Sequence, residues 1–181
     1  MSEDLYFAEH NDFRGSHMKF YVDDNAQDLG FMGVREVFMT TNNKNTLRGL
    51  HRQNNPFSQQ KIVKVVNGRF NLRVVIPNDV SGLNAFIKHN NPDKLTSNNG
   101  DYVFMWNNID FHHEPIFVPE GALLGYVSLE DNSKMLYIAD SEFNADCDDG
   151  FNPLSTRFDI DWGIEKDKLV MSERDANSRE Y

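Results

Sequence analysis

The chain has 181 residues, and its 28 acidic and 18 basic side chains give a net charge of −10. Phosphate neutralisation needs a basic excess, so a generic nucleic-acid binder is excluded. Apolar residues make up 39% and aromatics 12%, with fourteen Phe, which allows a real core and excludes global disorder, while the single cysteine, Cys147, excludes an intramolecular disulfide and a cysteine-built zinc site.

The N-terminal residues are polar with no signal-peptide pattern, and no later apolar run reaches a membrane span; a soluble, cytoplasmic chain forming one domain over 1–181 is expected. Asp12-Phe-Arg-Gly15 reads as a turn carrying a surface arginine. Residues 34–40 form a β-branched and aromatic run. Arg48-Gly-Leu-His-Arg-Gln53 reads as a strand whose alternation puts Gly49, His51 and Gln53 on one face and Arg48, Leu50 and Arg52 on the other. In residues 61–76, two β-rich runs flank Asn67-Gly68, which predicts a two-residue hairpin with a type I′ turn. Its register gives Val63, Val65, Phe70, Leu72 and Val74 one apolar face, leaving Lys64, Asn71 and Arg73 on the other. Residues 81–90 read as a surface insertion. Further short strands follow at 102–106, 115–119, 124–129 and 135–139, separated by Gly, Asn, Asp and Pro clusters. Only the last twenty residues look weakly helical, and the polar segment 172–181 is expected to be loosely held. Short strands at this spacing predict an antiparallel sandwich or barrel.

Several of these residues carry chemistry. His51 and Gln53 on one strand face imply an interior that holds something polar. Lys61 shares the inward face of the 61–76 segment, so either an anion or carbonyl waits inside or the ammonium sits at the sheet edge in water. Val118-Pro-Glu-Gly121 is a turn, and Tyr137 reads first as a buried tyrosine with a satisfied hydroxyl. His112 and His113 are strand neighbours pointing to opposite faces and cannot chelate together. Metal-holding cupins usually offer His-x-His, a glutamate and a later histidine. This chain has His51-Arg52-Gln53 and Leu124 at those places, so no metal or other cofactor is expected and His51 is read as a base.

The motifs run in the order Asp12-Phe-Arg-Gly15, Arg48–Gln53, Pro56-x-x-Gln59-x-Lys61-Ile-Val63, Pro119-Glu-Gly121, Leu136-Tyr137, Ile160-Asp-Trp162 and Met171-Ser-Glu-Arg-Asp175. In this order they resemble the dTDP-4-dehydrorhamnose 3,5-epimerase family, which are metal-independent cupins. The resemblance implies a mainly β, cupin-type antiparallel jelly roll with minor helix, and a homodimer acting on a nucleotide-diphosphate sugar that bears a 4-keto-6-deoxy ring. It implies His51 as the base that takes a proton beside the ketone, Tyr137 as the acid on the opposite face, and Lys61 as the cation for the enolate oxygen. An ordinary imidazole titrates near roughly 6.5 and a phenol near about 10, which suits both roles. Arg14, Arg48, Gln53 and Gln59 match positions that hold the diphosphate or orient the sugar.

Three departures from the pattern carry expectations of their own. Counting back from Ile160-Asp-Trp162 sets Ser155 where an orienting aspartate is expected, which implies slower proton abstraction unless Asp149 or Asp159 fills in. Leu124 replaces a histidine, removing a polar group from the sugar pocket and pointing to inversion at one carbon or to another sugar. His17 and Lys19 stand in an aromatic and an acidic place that touch the nucleotide base across the dimer, which points away from thymidine, because Lys19 can only donate. Two further readings stay open: a cupin ketoisomerase, and a sugar-nucleotide-binding paralogue with weakened turnover.

Overall fold

A computed structural model describes residues 9–21, 26–27, 30–78, 80, 83, 86–87, 90–98 and 100–180. Its strands are antiparallel. β1 (Glu9–Asp12) and β2 (Gly15–Met18) form a separate hairpin. β3 (Glu36–Asn42), β4 (Leu47–Gln53), β5 (Lys61–Asn67), β6 (Phe70–Ile76), β7 (Lys94–Asn98), β8 (Asp101–Ile109), β9 (Ile116–Val118), β10 (Leu123–Ser128), β11 (Ser133–Ala139) and β12 (Asp148–Gly150) make two larger sheets. One sheet has six strands in the order β12-β4-β10-β6-β8-β7, the other four in the order β3-β11-β5-β9. A 3₁₀ turn (Lys166–Lys168) and a short helix α1 (Glu173–Ala176) follow. The expected mainly β sandwich is therefore present, with each predicted run inside or overlapping a strand.

The link between β5 and β6 differs from the expected hairpin. The two strands do not pair: β5 lies between β11 and β9, and β6 between β10 and β8. A type I′ turn needs positive φ at both central residues, but only Gly68 has it, at 71°. The chain arches from one sheet to the other, with Gly68 so close to Ser133 that an added Cβ would sit 2.2 Å from its Oγ. Val63, Val65, Phe70, Leu72 and Val74 still join one core, because they face one another across two sheets instead of sharing one face. The period-2 pattern specifies which residues point inward, and that is the same for a hairpin and an arch.

Both sheets are covered on their outer faces as well. Leu47, Leu50, Val75, Val103, Leu123 and Val127 point outward from the six-stranded sheet onto Phe151, Phe158 and Trp162 of the C-terminal segment. Arg73, on this outer face, is buried and donates to the carbonyls of Asp161, Leu72 and Trp106, while Asn71 donates to the carbonyl of Trp162. Burial pulls the Arg73 guanidinium down to about 10, with Asp161 and Asp93 opposing. On the four-stranded sheet, Ile62, Phe117 and Ile138 pack with Ala26 and Phe31. Burial on two faces explains why β6 is buried at every residue.

Two expectations about loops change. Within 81–90, Phe86 is fully buried against Phe104 and Trp106, and Asn90 donates to the carbonyl of Phe117, so this part of the segment belongs to the core and is not a surface insertion. Segment 172–180 is docked: Arg179 bonds Asp149 and pairs with Phe151 in a parallel bridge, and Asp175 is buried. Polar composition suggested a loose tail, but these polar groups have specific partners inside the fold.

Candidate active site

A cavity of about 280 Å³ lies between the sheets, lined from β4 by Arg48, His51 and Gln53, from β5 by Lys61 and from β11 by Tyr137. Strict alternation would send Arg48 to the opposite face from His51. It does not, because β4 bulges against β10: Tyr126 pairs with Arg48 and Leu124 with His51, three steps on β4 against two on β10. The bulge centres on Gly49, at φ 127°, where an added Cβ would lie 2.6 Å from the Gly125 Cα. Leu50 stays in the outer core, and Arg52 turns to Asp149 and the Gly121 carbonyl. One glycine thus re-aims Arg48 into the same space as the imidazole.

His51 is held by a carboxylate, and that carboxylate is Asp175. Nε2 lies 2.8 Å from Asp175 Oδ1, whose side chain is only 4% exposed. The backbone N–H of Gly49 donates to the other oxygen at 3.3 Å. Asp175 is set by α1, where Ser172 is the N-cap and accepts from the Asp175 amide at 3.1 Å. Burial pushes this carboxyl up, but the His51 and Gly49 bonds and the Arg174 charge outweigh it, and the net direction is down. An ionised carboxylate only accepts, so Nε2 carries the proton and Nδ1 is the basic nitrogen of the neutral ring.

Ser155 does not serve this purpose, which corrects the expectation above. It is buried in the C-terminal segment, accepts from the Arg157 amide, and lines a separate depression beside Trp162. Asp149 is bound to Arg52 and Arg179, and Asp159 lines the same separate depression. Counting back from Ile160-Asp-Trp162 picks a residue by distance in sequence, whereas the orienting group arrives on a helix thirteen residues beyond Trp162. The Ser172-x-x-Asp175 spacing, a helix-capping signal, was the available clue.

Tyr137 is buried and stacked on Phe38, with ring centroids 4.4 Å apart and planes within 6°. Burial first, then Tyr126, pushes its phenol well above the ordinary value, while Thr40 and Arg48 pull the other way. It therefore stays protonated across neutral pH and can donate. Burial pulls the Lys61 ammonium down, opposed by Asp148, Glu36 and Asp140, and two of those carboxylates, Asp148 and Glu36, line the cavity with it. Arg174 pairs with Asp148 at 2.7 Å on the cavity wall. These three, with Thr40 and Tyr126, lie outside the residues singled out from sequence.

The remaining candidates divide. Gln53 and Gln59 line the cavity, but their amides also hold segment 141–144, through the carbonyls of Glu142 and Ser141 and the Asn144 amide. Leu124 lines the wall, opposite His51 in register. Arg14 and Lys19 are exposed and do not line this cavity; Arg14 bonds Asp12 across its own turn. Among the described residues no group of three His, Cys, Asp or Glu side chains could hold a metal ion. No helix among them is long and apolar enough to cross a membrane.

The family model for dTDP-4-dehydrorhamnose 3,5-epimerase matches residues 5–90 and 95–181. The chain belongs to this family. It is accordingly an enzyme of the isomerase class. The Mycobacterium tuberculosis dTDP-4-dehydrorhamnose 3,5-epimerase is 26% identical over 92% of this chain and 76% of its own length. The Escherichia coli enzyme of the same name is 26% identical over 96% and 87%. Among solved structures, the Elizabethkingia anophelis epimerase superposes with a TM-score of 0.76 at 19% identity, covering 97% of this chain and 88% of that one. A 3'-monoepimerase from Streptomyces bikiniensis, in complex with dTDP-quinovose, reaches 0.74 at 20% identity over 97% and 81%. These likenesses establish the family's cupin-like β fold.

Proposed function

We propose that this enzyme epimerises a nucleotide-linked 4-keto-6-deoxy sugar at C3, C5 or both, through an enolate. His51 Nδ1 takes the proton from the carbon beside the ketone, and the C–H electron pair moves onto the ketone oxygen. Lys61 stabilises that oxygen. Tyr137 then gives its proton to the same carbon from the opposite face, inverting it and leaving a phenolate that solvent reprotonates. Arg48, Gln53 and Gln59 orient the sugar and diphosphate. The observation that carries this reading is one cavity lined by an imidazole on a buried carboxylate, a buried phenol and an ammonium. An Asp175-held imidazole has a defined tautomer and a counter-ion for the imidazolium that forms.

Arg14 and Lys19 act, in this reading, at the cavity of a second copy in a homodimer. Support comes from the exposed residues 12–17 of the β1–β2 hairpin and from the exposed Val37 and Met39 on the edge strand β3. The binding-paralogue reading rested on a missing carboxylate, and Asp175 removes that ground. The relatives are named for dTDP-sugars, which favours dTDP against the expectation from Lys19.

The test is incubation with a dTDP-linked 4-keto-6-deoxyhexose in deuterated water. Deuterium at C3 or C5 with inverted configuration is expected, lost in His51→Asn and absent as inversion in Tyr137→Phe. A migrated carbonyl would establish the ketoisomerase instead. Activity should survive prolonged chelation by EDTA, and its loss would refute the metal-free mechanism.

A further inference from the structure

Asp149 links the two chain segments that carry His51 and Asp175, a connection the proposed chemistry has not used. It stands opposite Arg52 in register, one residue past His51 on β4, and Arg52 Nε donates to its Oδ2 at 3.4 Å. Asn54 Nδ2 donates to the same oxygen at 3.2 Å. From the other direction comes Arg179, four residues past Asp175. One of its terminal nitrogens donates to Asp149 Oδ1 at 2.7 Å and to Oδ2 at 2.9 Å. The buried Phe151 ring completes the cluster, with the Arg179 guanidinium 4.5 Å and the Arg52 guanidinium 5.5 Å from its centroid.

The backbone follows the same plan. Phe151 exchanges hydrogen bonds with Leu50, just before His51, at 3.0 and 3.1 Å, and the Asn152 N–H donates to the Arg179 carbonyl at 2.9 Å. Residues 149–152 therefore stand between β4 and the segment beyond α1, bonded to each.

α1 needs such support. It has four residues, and one turn of helix does not repay the entropy of fixing its dihedrals. Its flanks must hold it. Before it, Val170 accepts from the Leu47 amide and donates to the Asn45 carbonyl. Within it, Arg174 pairs with Asp148. After it, Asn177 and Ser178 donate back to the Glu173 and Arg174 carbonyls of the same turn, so the tie to the sheet on this side comes at Arg179. The Arg179 side chain is 62% exposed, and an ion pair that open adds little to global stability. Its effect is local: it decides whether the turn bearing Asp175 stays against β4 or opens.

We propose that Arg179 is a positioning residue for the His51–Asp175 pair: through Asp149 and Phe151 it fixes the segment beyond α1 against β4 and so keeps the Asp175 carboxylate on Nε2. Its importance for turnover rests on His51 being the base. Removing the guanidinium leaves Asp149 with Arg52 and Asn54, so no carboxylate is orphaned and the fold is retained.

The experiment compares Arg179→Ala with the unaltered enzyme in two ways. Nitrogen-15 NMR of the histidine rings, with His51 assigned by its loss in His51→Asn, should show the neutral ring protonated at Nε2 in the unaltered protein and as a mixture of both tautomers in Arg179→Ala. With a dTDP-linked 4-keto-6-deoxyhexose in deuterated water, kcat for deuterium uptake should fall by about tenfold, less than the roughly 10²-fold that a 1 Å misplacement can cost, with KM unchanged. Arg179→Lys keeps one cation for the same two oxygens and should restore the single tautomer. In an Asp175→Asn background, Arg179→Ala should change neither reading further, because it acts through the missing carboxylate. An unmixed Nε2–H tautomer in Arg179→Ala, or the same fall in kcat when Asp175 is already asparagine, would overturn the inference. Full uptake by His51→Asn would instead overturn His51 as the base, and the tautomer result would stand apart from it.

Discussion

The two ends of the chain look alike as sequence and behave differently in the fold. Each is polar, and each carries a short family motif, Asp12-Phe-Arg-Gly15 near the start and Ser172-Glu-Arg-Asp175 near the finish. The N-terminal motif forms a hairpin whose Phe13 is 99% exposed and whose Arg14, among the described residues, hydrogen-bonds only its neighbour Asp12. The C-terminal motif is preceded by Phe151, Phe158 and Trp162, which cover the outer face of the six-stranded sheet and bring α1 beside β4. Apolar burial upstream thus decides where a polar motif lands. A motif without such an anchor can serve only a surface or another copy.

The largest effect expected from breaking this contrast is at Asp175. Asp175→Asn should retain the fold yet lower the rate of solvent deuterium uptake by roughly 10²-fold or more, since an amide can leave the imidazole in the wrong tautomer. A rate within twofold of the unaltered enzyme would show that the carboxylate is not needed. The sign of the pH dependence follows from the same group. Its pKa is lowered in the fold, so its contribution is fully present above the ordinary carboxylate range and is lost as pH falls through the folded value. Thermal unfolding should therefore lose stability toward acid, and Asp175→Asn should flatten that slope; an unchanged slope would contradict the assignment.

At the other end, Arg14→Ala should leave the melting temperature unchanged, as for other exposed sites. It should nevertheless raise KM by about tenfold through a lost phosphate contact, if the hairpin serves a partner's cavity. Mixing Arg14→Ala with His51→Asn subunits should then recover part of the activity, and no recovery would confine the hairpin to its own chain. Titration with dTDP-, UDP-, GDP- and CDP-sugars tests Lys19 on the same surface, with dTDP expected to bind tightest. The smallest effect is expected for Ser155→Asp. It should give no rise in deuterium uptake, because Ser155 and His51 stand in different depressions; a rise would restore Ser155 as the orienting position.

How far the site was readable before folding depended on the kind of evidence. The family resemblance pointed to His51, Lys61 and Tyr137, which line one cavity, and alternation marked the inward set from Val63 through Val74. Arg48 was assigned to the wrong face because a bulge changes the parity of a strand, and no residue pattern marks it except a glycine. Thr40 and Tyr126 were missed because each is an ordinary strand residue until its neighbours across the sandwich are known. Asp175 was named within a motif but given no role.

What the linear order of residues determined by itself was an antiparallel β chain with a definite inward set and a polar interior, because side-chain periodicity and turn chemistry are local properties. Tertiary structure alone decided that β5 and β6 belong to opposite sheets, that Arg48 joins His51, and that Asp175 returns to orient the imidazole. Those outcomes depend on contacts between residues tens of positions apart, which no local pattern encodes and only the packing of two sheets and their coverings brings together.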